Sequence, residues 1–179
     1  MAEGALDIMY SDLTGPEEVP SAGGTKYIMN LIDDYSNMVW IYLLKEKSQA
    51  RETFIEWKAL VETKMGCKVK CFCTDGGGKF MSNEFEQYLC KQGIKHQLTA
   101  PFMSVQNGWA EQTHSTIMDQ ACMICSSLNL PMNMWGECAL TSAYVKNKMP
   151  THSRTGTTPF EAYYGQKPTT DKSLLWTKA

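Results

Sequence analysis

The stretch CFCTDGGGKF, residues 71–80, carries an apolar run into a single carboxylate, Asp75, and then into three successive glycines. A strand that stops at glycines bends sharply and leaves its last side chain clear of the sheet edge. Asp75 is therefore read as an acid group at a strand end, facing solvent or a ligand. It gains meaning if other carboxylates reach the same edge.

Outward from this point the chain alternates strand and helix signals. Upstream, ALDIMYSDL reads as a strand ending near Asp12, and TGPEEVPSAGG supplies turn residues up to Gly24. KYIMNLID and MVWIYLL are apolar runs joined by DYSN, the pattern of an antiparallel hairpin. Asp33 and Asp34 sit in that turn and are read as backbone caps outside any site. Ser48 is expected to cap a helix through QARETFIEWKALVETKM, with Phe54, Trp57, Leu60, Val61 and Met65 on its apolar face and Gly66 as its stop.

CKVKCFCT is the fourth strand. SNEFEQYLCKQG is a short helix capped by Ser82 or Asn83 and stopped by Gly93, and IKHQLT is a fifth strand. After a loop, APFMSVQNG, a long helix is expected from near Trp109, with Ala110, Ile117, Ala121, Ile124 and Leu128 on one stripe. Pro131 restarts the chain in a helix from Met132 to about Lys148, Pro150 ends it, and TPFEAYYG adds a last helical turn or two. The order βββαβαβ, followed by helices, implies an α/β fold with a mixed sheet covered by helices. In such a fold Asp12 and Asp75 emerge at one edge.

Composition bounds the function. The 179 residues, 43% hydrophobic with formal charge −2, fit one domain over 1–179, with a core of about 6–165 and an uninformative tail from about 166. No apolar run approaches the roughly 20 residues that span a bilayer, and MAEGALDIMY lacks a secretory pattern, so a soluble, unsecreted protein is expected. The seven cysteines form no framework and read as reduced core residues, CMIC at 122–125 included. Trp135 and Tyr144, with Met132, Met134 and Met149, fit a pairing face or ordinary core.

Glu111 follows the loop holding Pro101, Asn107 and Gly108 and is placed on the first turn of the long helix, where the dipole favours an acid group. Taken together, YSDLTGP, LIDDYSNMVWIYLLKEKS, TDGGGKF, QNGWAEQTHSTI and TPFEAYYGQKP resemble the integrase catalytic core of Ty1/copia-type retrotransposons, from Leu6 to about Pro168. The resemblance implies an RNase H-like fold, a five-stranded mixed sheet with helices on both faces. It also implies a DDE group made of Asp12, Asp75 and Glu111, with thirty-five residues between the last two. These three would ligate Mg²⁺ or Mn²⁺, hard cations that leave positions open for phosphate oxygens. Two such ions, roughly 3.5–4 Å apart, would serve DNA 3′-end processing and strand transfer.

The resemblance further implies DNA partners (element ends and target), a homodimer or higher homo-oligomer, no membrane contact, and a nuclear site of action after a cytoplasmic stage. Departures fall on the DNA side: Gly76 and Lys79 replace the family's Asn and Glu, and Gln112 to Thr116 replace its basic helix face. From His96 through Val145 there is no Lys or Arg, although phosphate neutralisation dominates DNA affinity. Candidate DNA contacts are Lys79, Lys91, Lys95, Gln106, Asn107 and His114, with Lys68 and Lys70 beside them, and Trp109 fits either a base stacker or, in preference, a staple at the helix start. A domesticated core working as a non-catalytic protein-interaction module is the competing expectation; a general metal-dependent nuclease on RNA or DNA is the third.

Overall fold

The computed structural model describes residues 2–75, 83–99, 104–150 and 156–168; Asp75, Thr99, Trp109 and residues 104–107 are described by backbone alone. Five strands, β1 (Ile8–Thr14), β2 (Tyr27–Asp33), β3 (Val39–Leu44), β4 (Cys71–Asp75) and β5 (Lys95–Thr99), form one sheet in the order β3-β2-β1-β4-β5. The hairpin partners β1, β2 and β3 run antiparallel, whereas β4 and β5 join β1 in parallel, so the sheet is mixed as expected. The helices are α1 (Ala50–Met65), α2 (Asn83–Lys91), α3 (Ser104–Ser127), α4 (Trp135–Lys148) and α5 (Pro159–Tyr164).

Strand alternation sorts the side chains into two cores. Met9, Leu13, Met29, Leu31 and Phe72 meet Phe54 and Trp57 of α1, Phe85 and Leu89 of α2, and Tyr163 of α5 on one face. Tyr10, Ile28, Ile32, Val39, Ile41 and Cys73 meet α3 and α4 on the other. Among the described residues no helix is long and apolar enough to cross a membrane.

Several local expectations need correction. Ser48 does not cap α1: a 3-10 turn, Lys47–Gln49, precedes the helix, and the Ser48 hydroxyl donates to Glu46. Leu60 is 69% exposed, while Lys58 is buried and pairs with Glu62 at 2.9 Å, its long stem lying along apolar surface. On α3 the buried stripe is Ala110, Thr113, Ile117, Ala121 and Cys125, spaced by three and then by four residues, which leaves Leu128 outside. A 3-10 turn, Met132–Met134, stands before α4. Trp135 belongs to the core and donates its indole N–H to Val19 O, so it offers no pairing face. All seven cysteines are free, but only Cys73, Cys125 and Cys138 are buried, while Cys67, Cys90 and Cys122 are exposed. The Ser82 cap and the tail from 169 lie outside the described residues.

Two close approaches fix the sheet against its surroundings. Gly15, directly after β1, has φ +121°, and a Cβ there would lie 2.5 Å from Lys26 O, so only glycine fits where the chain leaves the strand. On the far edge, buried Asn147 of α4 accepts from Val39 N at 2.9 Å and donates to Val39 O at 2.7 Å, completing the backbone of strand β3 with a side chain. Removing that amide leaves both backbone groups buried and unpaired. Asn147→Ala is expected to cost about 2–3 kcal/mol by urea denaturation, and a loss under about 0.5 kcal/mol would show that water replaces the amide there.

Candidate active site

Strand β1 meets β4 in parallel with Ser11 opposite Thr74, so Asp12 and Asp75 each stand one residue further on at the same level of neighbouring strands. Parallel neighbours lie about 4.8 Å apart. Asp12 shares the parity of Tyr10, and Asp75 that of Cys71 and Cys73, which places both positions on the sheet face covered by α3. Asp12 is half-buried and its carboxylate accepts from the Thr14 hydroxyl at 2.9 Å.

Glu111 stands elsewhere on its helix than expected. Helix α3 begins at Ser104, so Glu111 lies in its third turn, and stabilisation by the first-turn dipole does not apply. Residues 104–108, expected as loop, are helical despite Gly108, because no proline interrupts them and a single glycine costs a helix only about 1 kcal/mol. What seats the helix is its small-residue contact with the sheet. Ala110 is fully buried in the cluster containing Tyr10 and Cys73, and Glu111 beside it is exposed.

A polar bond fixes the same seat. Asn30 pairs with Asp12 across β1 and β2, and its side-chain Nδ2 donates to Nδ1 of His114 at 2.8 Å. His114 is one turn after Glu111 and half-buried. With Nδ1 accepting, its proton sits on Nε2. Asn30 is completely buried, and among the described residues its Oδ1 has no hydrogen-bond partner.

The other acidic residues of the hairpin do structural work. Asp33 is fully buried and accepts from Leu6 N, Ser36 N and the Ser36 hydroxyl at 2.6–2.8 Å. Burial raises its pKa above the ordinary carboxylate value, while the Ser36 hydroxyl pulls the other way. Asp34 accepts from Ala2 N. Both stand at the C-terminal end of β2, which runs antiparallel to β1 and so lies at the opposite sheet edge from Asp12.

Strand direction also redistributes the candidate DNA contacts. Lys95 opens β5 opposite Cys71, four residues and about 13 Å from the level of Asp75. Lys91 ends α2, just before that opening. Lys70 precedes β4 and is paired with Asp7 at 2.6 Å, and Lys68 lies two residues further upstream. All four therefore stand away from the carboxylate edge. Lys79 and the side chains of Gln106, Asn107, Trp109 and Asp75 lie outside the described residues.

The fold also places two lysines that the sequence did not single out. Lys26 precedes β2 and Lys45 follows β3, beyond the sheet end toward which Asp12 and Thr14 lead, and both are exposed. Each stands four residues, about 13 Å, beyond the level of Asp12, with Lys45 one strand spacing further out. Only strand order and direction reveal them.

Among the described side chains, to which that of Asp75 does not belong, no three His, Cys, Asp or Glu groups stand together. By residue type, carboxylates at positions 12, 75 and 111 are hard oxygen donors, whose chemistry suits Mg²⁺ or Mn²⁺ rather than a soft metal.

Comparison with known proteins gives a consistent picture. Residues 2–104 match the family profile described as "Integrase core domain". The chain is 41% identical over 145 residues to the retrovirus-related Pol polyprotein from transposon TNT 1-94 of Nicotiana tabacum, covering 81% of this chain and 11% of that protein. It is 29% identical over 167 residues to the corresponding polyprotein from transposon RE1 of Arabidopsis thaliana, again covering 11% of the relative. The chain thus spans about a tenth of the length of these curated relatives. Among solved structures, the HTLV-2 integrase catalytic core domain in complex with magnesium has a TM-score of 0.66 at 18% identity, covering 91% of this chain and 99% of that one. A simian T-cell lymphotropic virus intasome in complex with a PP2A regulatory subunit has a TM-score of 0.70 at 18% identity, covering 90% and 55%. These structural likenesses bear on the fold.

Burial separates the acid groups by role. Glu111→Gln, on an exposed side chain, is expected to change unfolding stability by less than about 0.5 kcal/mol, whereas Asp33→Ala strips three buried donors of their acceptor and costs about 3 kcal/mol. Urea titration of the two variants reads this directly, and equal losses would remove the distinction.

Proposed function

For a chain that belongs to the integrase core domain family, we propose DNA phosphodiester hydrolysis and strand transfer at the edge shared by β1 and β4, with Asp12, Asp75 and Glu111 as the acid groups of the site. The observation that carries this reading is the level placement of Asp12 and Asp75 on parallel neighbours, under a helix that presents Glu111. Mg²⁺ or Mn²⁺ held by these carboxylates would supply Lewis-acid charge at the phosphate and a more acidic attacking water.

The chain's own side chains do the rest. Asp12 and Asp75 from the sheet and Glu111 from the helix would hold the cation. His114, tied to β2 through Nδ1 by Asn30, holds the helix one turn after Glu111 at the level of Asp12. Lys26 and Lys45 provide cationic charge beyond the same sheet end, which the stretch from 96 to 145 lacks.

The substrate proposed is the DNA of the element's ends and its target. The HTLV-2 core is known in dimeric and trimeric forms, and a homodimer or higher homo-oligomer is proposed here by that likeness. Its place of action is the nucleus, after a cytoplasmic stage.

Nicking and disintegration of labelled DNA with Mn²⁺ tests the reading. Wild type is expected to be active, and Asp12→Asn, Asp75→Asn and Glu111→Gln to fall to the level of a protein-free control. Identical activity, or identical inactivity, in wild type and Asp75→Asn contradicts a catalytic core and leaves a non-catalytic module.

A further inference from the structure

Directly before Asp75, on the opposite face of the same strand, a chain of three polar side chains joins β4 to β5 and α2. Thr74 Oγ1 lies 2.9 Å from Nε2 of His96, and Nδ1 of His96 is hydrogen-bonded to Oε1 of Glu86 on the first turn of α2. The imidazole has only 5% of its side-chain surface exposed, and it stacks on Phe72 at 6.0 Å with Phe85 edge-on to it at 6.5 Å. With Nδ1 donating to the carboxylate, Nε2 is left to accept from the Thr74 hydroxyl.

Hydroxyl, imidazole and carboxylate in this order are also the parts of a nucleophilic relay. Thr74 is fully buried, so no substrate reaches its oxygen, and that use is excluded. Ordinary packing does not account for the group either. A histidine serving only to fill the aromatic cluster needs neither a threonine partner on one nitrogen nor a surface acid group on the other.

What the three residues share is position. Thr74 is the last residue before Asp75, and Glu86 lies four positions into the described chain that resumes at Asn83. Each link restrains the C-terminal end of β4 from the face opposite the proposed metal position.

We propose that Thr74, His96 and Glu86 form a positioning relay that holds the end of β4, and with it the backbone of Asp75, level with Asp12. The relay deepens the catalytic reading and rests on it for its functional meaning. Its mechanical part, restraint of the strand end, stands by itself.

The test uses the whole chain as wild type, Thr74→Val, Thr74→Ser and Leu89→Ala. Thr74→Val keeps shape and removes the hydroxyl, Thr74→Ser keeps the hydroxyl, and Leu89→Ala removes packing from α2 without touching the relay. Amide hydrogen exchange in Thr74→Val is expected to rise about tenfold at residues 71–75 relative to residues 27–33, the scale of one lost hydrogen bond. Thr74→Ser should stay within about twofold of wild type, and Leu89→Ala should not single out residues 71–75. In Mn²⁺-dependent nicking, Thr74→Val should lower kcat about tenfold or more with KM for DNA unchanged, because misplacement of a reacting group acts on the chemical step.

Unchanged exchange at 71–75 in Thr74→Val, or equal effects of Val and Ser, overturns the relay. Inactive wild type with the localised exchange change overturns the catalytic reading and leaves the relay in place.

Discussion

The parallel pairing of β1 with β4 is the constraint on which the rest depends. The two strands are far apart in sequence, and a one-residue slip would turn every side chain of one of them to the other face. The slip is prevented because both faces are buried. Met9 and Leu13 must remain with Phe54 and Phe72 on one side while Tyr10 remains with Cys73 and Ala110 on the other. Two cores of different shape thus hold one register, and that register sets Asp12 beside Asp75. The two positions are kept level by apolar packing elsewhere.

Helix α3 completes the arrangement from above. Its small and short side chains, Ala110, Thr113 and Ala121, let the backbone approach the sheet, and the Asn30–His114 bond ties it at the level of Asp12. The first of these contacts is non-directional and the second is specific, so packing brings the helix close and the hydrogen bond fixes its rotation. On the other face, the Thr74–His96–Glu86 chain meets the same strand end from below. The carboxylate edge is therefore held from both sides of the sheet by polar bonds set within apolar cores.

Much of this was legible in the sequence, for physical reasons that differ by element. The hairpin strands announced themselves because each buries an apolar run between turn residues, and Asp12 and Asp75 stood out at the ends of such runs. The start of α3 did not, since Gln106, Asn107 and Gly108 read as a loop by local propensity, and the helix there continues a segment whose later turns are anchored on the sheet. That error put Glu111 on the wrong turn. The placement of the lysines was hidden for another reason: which of Lys91, Lys95, Lys26 and Lys45 stands at which end of the sheet is decided by strand order and direction, which are long-range properties. His96 likewise gave no local sign of bonding both Thr74 and Glu86.

The proposed site requires that carboxylates from β1, β4 and α3 share a single cation position. Anomalous diffraction from crystals of this chain grown with Mn²⁺ tests it most directly. Metal density bounded by the carboxylates of Asp12, Asp75 and Glu111 is expected; density confined to other acid groups such as Asp33 and Asp34, or none at this edge with metal in excess, would contradict it.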